Sequence, residues 1–471
     1  MHHHYFAKIF LTKVVFKMLM TKDKSFYKQF FSLYWVLVLN NIIAFGVNLA
    51  DNIMIGSYNE TSLAGVAAVN QVQFVFQQIL WGCGDALVIV GSQYWGQNRT
   101  KEITKLSFGA MTVALCSATA LFIAAAISPC GMVGIFSPSD SIINEGSKYL
   151  NIIKYTYPVF AITNILLASL RCVETVRIGF FLSVSTLIVN CSINYLLISG
   201  NFGFPEMGVK GAAIGTLSAR CIELIIVTVY VIAIDKKLNI KLKEYLRFDK
   251  TFFKDYAKVA RSTVVVAAMF GISTALQSVI LGHMSDNAIA ANSVSTTLYQ
   301  TLKVAAIGAS SAAAIIIGKA VGQGNIKKIK EYTKTLQIIF LIIAAVMSIS
   351  LFVLRYPILN MYSLTPETKR LANAFILVLC VTGFGTAYEM PVLTGIVRGG
   401  GDAAFILKND IISIWCIVLP LSYLAAFKFG WPPDVVVFCL NFDQLFKCGA
   451  AAIKANRYTW IKKLTRSENV E

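Results

Sequence analysis

Charge is scarce in this chain. Asp, Glu, Lys and Arg together make up 14% of its 471 residues, where a soluble domain carries about 25%. Hydrophobic residues reach 56% and the mean hydropathy is +0.66. That is more apolar surface than one water-soluble core can hide, and it overrides the several soluble domains that the length alone would suggest. Acids are the scarcer sign, 24 against 42 bases, which leaves a net charge of +18. The excess does not mark a nucleic-acid binder. Its Lys and Arg sit in short polar loops between long apolar runs, the pattern of a protein oriented in a lipid bilayer. Histidine is limited to four residues, three of them at positions 2–4, too isolated for a metal site. The ten cysteines are scattered with no CxxC or Cys/His spacing, so no metal site or disulfide framework is indicated. They read as small packing residues. No GxxxxGK[ST] segment occurs, so direct ATP hydrolysis is not supported. Nothing alternates with period two over enough segments for a barrel, and the basic start lacks the small-residue cleavage site of a signal peptide. Met18 or Met20 would serve as a start, and the first seventeen residues read as an addition.

What is present is a repeat. DNIMIG (51–56), LAGVAAV (63–69), GCGDAL (82–87) and SQYWGQNRTKE (92–102) recur at an offset of 226 residues. Gly56 falls on Gly282, Gly82 on Gly308, Ala86 on Ala312, Gly96-Gln97 on Gly322-Gln323, and Lys101 on Lys327. With one residue more, Arg171 falls on Arg398, Gly203-Phe204-Pro205 on Gly430-Trp431-Pro432, and Arg220-Cys221 on Lys447-Cys448. Two copies of one unit therefore follow each other in the same order.

A spanning helix needs about 20 mostly apolar residues. Twelve runs qualify: 30–55, 63–90, 104–128, 150–170, 177–199, 210–234, 259–282, 289–317, 335–356, 371–395, 405–427 and 431–453. Helices satisfy their own backbone in lipid, so an all-α bundle is expected. Alternate loops are basic, above all 235–258, while 56–62, 129–149, 200–209 and 283–288 hold almost no base. The positive-inside rule then puts both termini in the cytoplasm, and the repeat becomes six spans plus six with the same topology. The expected organisation is a basic N-terminus (1–28), an N-lobe (29–234), a basic linker (235–258), a C-lobe (259–453) and a tail (454–471). Gly82, Gly84, Gly91 and Gly96, with Gly308, Gly318 and Gly322, are expected to permit close helix packing.

An ionisable side chain inside a spanning segment costs about 2.5–3.5 kcal/mol on insertion scales, so each is a functional candidate. Asp51 lies in the first span, and its repeat partner is Gln277, so the halves differ there. Asn190 and Asn194 are four apart on one face of the fifth span. Glu389 in the tenth span shares its half with Lys303 and Asp443; these three, with Asp85 of the second span, are the candidates for a substrate or second cation site. Asp443 and Lys447, also four apart, read as a structural pair. Asp85 and Glu223 either face a cavity or pair with a nearby base. Arg171 and Arg398 read as anchors at corresponding helix ends, His283 as a solvated histidine, and the tryptophans as interfacial anchors. Asn59-Glu60-Thr61 is a chance sequon.

The segments DNIMIG…LAGVAAVNQ…GCGDALVIVGSQYWGQ resemble the multidrug and toxic compound extrusion (MATE) family. So do NCSINYLLISGNFGFPEMGVKGAAIGT (190–216), GIVRGGGDAAF (395–405) and FDQLFKCGAAAIKANRYTWIKKLT (442–465). The resemblance covers residues 25 to 465 or so and implies two six-helix lobes forming a V around a central cavity. It implies a secondary antiporter that exchanges protons or sodium ions for organic, often cationic, compounds. Such a protein is not an enzyme, needs no cofactor, and works as a multi-pass monomer in the cell membrane. Asp51 matches the family's first-helix aspartate, and Asn190 and Asn194 fall where family members carry Asn and then Asn or Asp. The resemblance thus implies a proton or cation site in the N-lobe with a single charge. The seventh span has no acid, which weakens a sodium-type site in the C-lobe. Lipid-linked oligosaccharide or lipid flippases of the same superfamily are the alternative; they rely on cavity arginines, in which these spans are poor. The major facilitator type is disfavoured, because GQNRTKE stands where a G-x-x-x-D-R pattern would be.

Overall fold

The computed structural model describes residues 20–136, 139–240, 249–361 and 364–466. The histidines at 2–4, Met18, and the basic residues Lys8, Lys13, Lys17, Lys241, Lys243 and Arg247 lie outside the described residues. Among those described, all regular structure is helical. Eleven helices are long and apolar enough to cross a membrane, and one bent pair supplies a twelfth. They are α1 (Lys24–Tyr58), α2 (Glu60–Gly96), α3 (Thr100–Ile127), α4 (Asp140–Ile153 with Thr156–Cys172), α5 (Arg177–Leu197) and α6 (Val209–Ile234). Then come α7 (Lys250–Leu281), α8 (Asn287–Gln323), α9 (Ile326–Met361), α10 (Pro366–Val397), α11 (Ala403–Lys428) and α12 (Pro433–Arg457). Many helix faces remain exposed and apolar, such as Ile342, Val346, Ile349 and Val353 along α9. Such faces suit contact with lipid rather than water.

The chain forms two compact units, one of residues 39–276 and the other of residues 1–38 with 277–471. The cuts fall inside α1 and α7, so each unit takes in part of a helix from the other sequence half. The repeat explains the exchange. Within the first unit, α7 passes so close to α2 that a Cβ on Gly82 would come within 2.9 Å of the Val264 backbone. Within the second, α1 crosses α8 so that a Cβ on Gly308 would lie 2.5 Å from Val38 Cγ2. Both glycines and both valines are related by the same 226-residue offset. Glycine allows this approach because a methyl group would fill the space.

The crossing helices start alike. Asp23 caps α1 by accepting the Ser25 N–H at 2.9 Å, and Asp249 caps α7 by accepting the Thr251 N–H at 3.0 Å. Each cap also holds the adjacent helix of its unit: Asp23 accepts the Tyr332 hydroxyl at 2.8 Å, and Asp249 pairs with Lys105 at 3.2 Å. The Tyr332 hydrogen bond is the largest influence that holds the Asp23 carboxyl below its ordinary 3.8. Burial would raise the Asp249 carboxyl, but Lys105 and the two backbone N–H groups outweigh it and keep it low. The segments are DKSFYKQF and DKTFFKDY, again 226 apart. The repeat therefore begins earlier than the reading from Asp51 onward.

Proline sets two departures from regular helix. α4 bends by 51° where its two segments meet. Pro158 lies in the first turn of the second segment, where its missing N–H leaves no bond unmade. In α10, Pro391 opens a wide π-turn over Pro391–Val397, two residues after Glu389. One aromatic expectation needs correction. Trp460 is not an interfacial anchor; it is fully buried, donating its ring N–H to the Ala455 carbonyl at 2.9 Å. It stacks on Gly400, where any side chain would collide with the ring. Lys454 and Lys462 each reach Asp402 at 2.8 Å beside it, so the segment after α12 straps the α10–α11 turn. Burial would raise the Asp402 carboxyl, but the two lysines outweigh it and hold it low.

Candidate functional site

In the unit of residues 39–276, α1, α2, α4, α5 and α6 enclose a polar chamber. Asp51 of α1 is half-buried at its wall. Asn194 Nδ2 donates to Asp51 Oδ1 at 2.6 Å and lies 3.3 Å from Asn190 Oδ1; Asn190 Nδ2 in turn donates to Thr216 Oγ1 at 3.3 Å. The two asparagines are almost completely buried, 1% and 0% exposed; Asn190 lines the chamber itself, while Asn194 meets it through the Asp51 carboxylate. The four-residue spacing on α5 stacks them on one face, as the sequence anticipates.

The hairpin joining α5 to α6 fixes the register between them. The Met207 N–H returns to the Leu197 carbonyl at 2.8 Å and the Gly208 N–H to Ile198 at 3.2 Å. Gly200 and Gly208 turn the chain with φ of 69° and 53°, a region open to glycine without steric cost. The same register lays Gly215 under Asn194, where an added methyl would strike the Asn194 oxygen.

The bend in α4 turns Tyr149 of one segment and Tyr157 and Phe160 of the other toward the chamber. α2 contributes Asn70, Gln73 and Gln77, and α6 contributes Arg220. Arg220 donates to Glu223 at 2.7 Å and lies 4.6 Å above the Phe160 ring. Gln73 Nε2, Tyr157 Oη and Thr186 Oγ1 line the chamber, buried, with no hydrogen-bond partner among the described residues. A polar atom left so costs about 1–3 kcal/mol in a dry interior. Three in one chamber mark a wall built to meet water or a polar solute.

A second cluster lies in the other unit. Lys447 of α12 sits between Asp443 and Asp410, 2.9 Å from each. Glu389, 7% exposed, is within electrostatic reach of Lys447, Asp410, Asp443 and Lys303. Lys303 lies 5.8 Å from the Tyr299 ring, whose hydroxyl bonds Thr386 at 2.8 Å. The structure thus brings Glu389, Lys303 and Asp443 near Asp410 and leaves Asp85, the fourth residue of that grouping, in the unit of residues 39–276. It supplies Lys447 as the bridging base, so the Asp443–Lys447 pair is the core of a larger group.

The remaining candidates are placed elsewhere. Asp85 pairs with Arg171 at 3.7 Å and does not line the Asp51 chamber. Glu223 holds Arg220. His283 is exposed, its Nδ1 2.9 Å from the Val279 carbonyl. Asn59 of the sequon is the cap of α2, accepting the Thr61 N–H at 2.8 Å. Sequence reasoning missed Arg220, Thr216, Tyr149, Tyr157 and Asp410. Of these Arg220 carried a signal in its repeat alignment with Lys447, and Asp410 carried one as an acid inside the 405–427 apolar run; Thr216, Tyr149 and Tyr157 are single residues whose approach depends on the α4 bend and the α5–α6 hairpin.

The MatE family profile matches residues 37–196 and 262–424, one stretch in each copy of the repeat. An uncharacterized transporter, YisQ, of Bacillus subtilis (strain 168) is 23% identical over 416 residues, 87% of this chain and 89% of that protein. The Probable multidrug resistance protein NorM of Thermotoga maritima is 24% identical over 388 residues, 82% of each chain. Among solved structures, the bent form of the Vibrio cholerae MATE transporter VcmN superposes with a TM-score of 0.81. It is 16% identical, and the match covers 92% of this chain and 97% of that one.

Proposed function

The chain belongs to the MatE family, a family of multi-pass membrane transporters, and from that premise we propose that it is a secondary antiporter exporting organic cations in exchange for protons, with Asp51 as the coupling group. The single observation that carries the reading is the carboxylate of Asp51, held by Asn194 at the wall of a polar chamber inside a spanning helix. A carboxylate that can be reached by water loads a proton on one side of the membrane and releases it on the other. Loaded, Asp51 is neutral and has no attraction for a cationic substrate. Unloaded, it favours one. Ion and substrate then compete, and that competition is what an exchanger requires. The relatives named as probable multidrug resistance proteins support the substrate class.

The basic loops put both termini in the cytoplasm of a bacterial plasma membrane. The Glu389–Lys303–Asp443 group is a candidate substrate or second cation site, already part-filled by the Lys447 ammonium. The protein acts as a monomer and calls for no cofactor.

The test is efflux of a fluorescent organic cation from proteoliposomes under an imposed pH gradient. Wild type should transport, and Asp51→Asn, with an unchanged elution profile, should lose coupled efflux by roughly a hundredfold or more, as removal of the group that carries the ion predicts. Undiminished efflux by Asp51→Asn would move the coupling role to Glu389. Absence of any cation efflux from the wild type under either a pH or a sodium gradient would favour the flippase reading.

A further inference from the structure

The charge pattern that orients the chain is broken at the α9–α10 turn. Lys369 and Arg370 stand in the first turns of α10, beside the end of α9 opposite its basic start, Lys327, Lys328, Lys330 and Lys334. Bases are disfavoured on that side of a membrane. Arg355 of α9 adds a third. No charged residue occurs over 335–354, a stretch that rises about 30 Å as helix and matches the hydrocarbon core. Arg355 is therefore the first charge at the far boundary, where the lipid headgroups begin.

The Arg355 guanidinium lies 3.7 Å from the centre of the Phe352 ring and 4.5 Å from that of Tyr356, and both rings are exposed. Its Nε and Nη1 are covered and have no hydrogen-bond partner among the described residues. Lys369 donates to the neutral Asn360 Oδ1 at 2.6 Å, which ties the start of α10 to α9 five residues beyond Arg355. The nearest acid in sequence, Glu367, accepts from Asn287 at 2.9 Å instead. Among the described residues no ion pair neutralises the three bases.

A guanidinium with unmet N–H groups is costly beside lipid. The protein offers it no acceptor, but the bilayer does. At this depth a phospholipid carries phosphodiester oxygens, which a guanidinium meets with two parallel hydrogen bonds. The rings over the guanidinium are surface side chains, so turning one outward uncovers the nitrogens without disturbing the core. Every phospholipid has the phosphate. Lys369 and Arg370 select among them, because choline and ethanolamine headgroups bring an ammonium that these two bases repel, and a glycerol headgroup brings none.

We propose that this end of α9 and α10 is a binding site for an anionic phospholipid, with Arg355 holding the phosphodiester and Lys369 and Arg370 selecting a headgroup that has no ammonium. Given the orientation proposed above, the lipid sits in the outer leaflet. The binding itself depends neither on that orientation nor on the coupling role of Asp51.

The test is native mass spectrometry of the purified full chain in neutral detergent, titrated with phosphatidylglycerol or phosphatidylcholine. The wild type should retain one phosphatidylglycerol roughly tenfold to thirtyfold more tightly than phosphatidylcholine, the effect of two bases near a membrane surface. Arg355→Gln should lose the tight site for both lipids. Arg355→Lys keeps the charge without the fork and should bind at least roughly threefold more weakly than wild type. Lys369→Gln with Arg370→Gln should keep the binding and lose the preference. Lys327→Gln, at the basic start of α9, should change neither, and millimolar inorganic phosphate should not displace the lipid. Wild-type affinity in a folded Arg355→Gln would overturn the proposal. So would an undiminished preference in the double variant, whose changes lie at the surface and leave the fold intact. An equal loss in Lys327→Gln would reduce the effect to general charge attraction, and displacement by inorganic phosphate would make it a free-anion site; either result overturns the lipid site.

Discussion

At the scale of single residues, the chamber depends on a few atoms that hold Asp51 in one place. Asn194 reaches the carboxylate because nothing larger than hydrogen stands at position 215 on the neighbouring helix. Gly215→Ala should push the Asn194 side chain off its line to Asp51. A hydrogen bond to a charged group is worth about 1.5–3 kcal/mol, so coupled efflux should fall roughly tenfold to a hundredfold. The unfolding midpoint should move far less, because the methyl group displaces an amide and opens no cavity. Matching efflux and thermal-unfolding measurements on the same preparation separate the two effects. The candidates Asp51, Asn190 and Asn194 were legible as polar residues in apolar runs, where each is costly enough to need a reason. Gly215 was not legible: a glycine in a helix looks the same whether it packs against lipid or under a functional amide.

At the scale of helices, the crossings of α1 over α8 and of α7 over α2 carry the two units. Gly82→Val and Gly308→Val should each destabilise by about 1–3 kcal/mol through overpacking, read as a lower unfolding midpoint in detergent, and the two effects should be similar because the contacts are repeat-related. The caps of the same helices make the pH prediction. Asp23 and Asp249 are both held below their ordinary value. Each therefore binds a proton less readily folded than unfolded. Its contribution is complete above about 4 and is lost as pH falls through the lowered folded value. Asp249→Asn should lower the midpoint at neutral pH, by a cap and ion-pair loss of about 1 kcal/mol, and should reduce the further loss on acidification from pH 5 to 3. The helices themselves were readable from hydropathy and length. The bend in α4 was not, since Pro158 in a first turn is compatible with a straight start as well as a break. Nor was the role of Trp460, whose position after the last span suits an interfacial ring; only the bare Gly400 backbone beneath it makes a buried slot.

At the scale of the whole molecule, two like-built units have unlike chemistry. Gln277 replaces Asp51, and Ile417 and Leu421 replace Asn190 and Asn194. Gln277→Asp in the Asp51→Asn background should therefore fail to restore pH-driven efflux, because the new carboxylate would meet no amide partner. Recovery to wild-type rates in proteoliposomes would show that the partners are dispensable. The sequence by itself determined the membrane setting, the helix count, the two-fold repeat and the family, because burial in lipid leaves a periodic and compositional trace in every span. It also marked which side chains were too polar for their place. Tertiary structure alone decided which of them meet. Asp51 meets Asn194 of α5 across 143 residues of chain, Lys447 joins Asp410, and Asp85 goes to Arg171 rather than to the chamber. Those pairings follow from bends, hairpin registers and helix crossings set by close steric fit, and steric fit between distant segments leaves no periodic mark in either one.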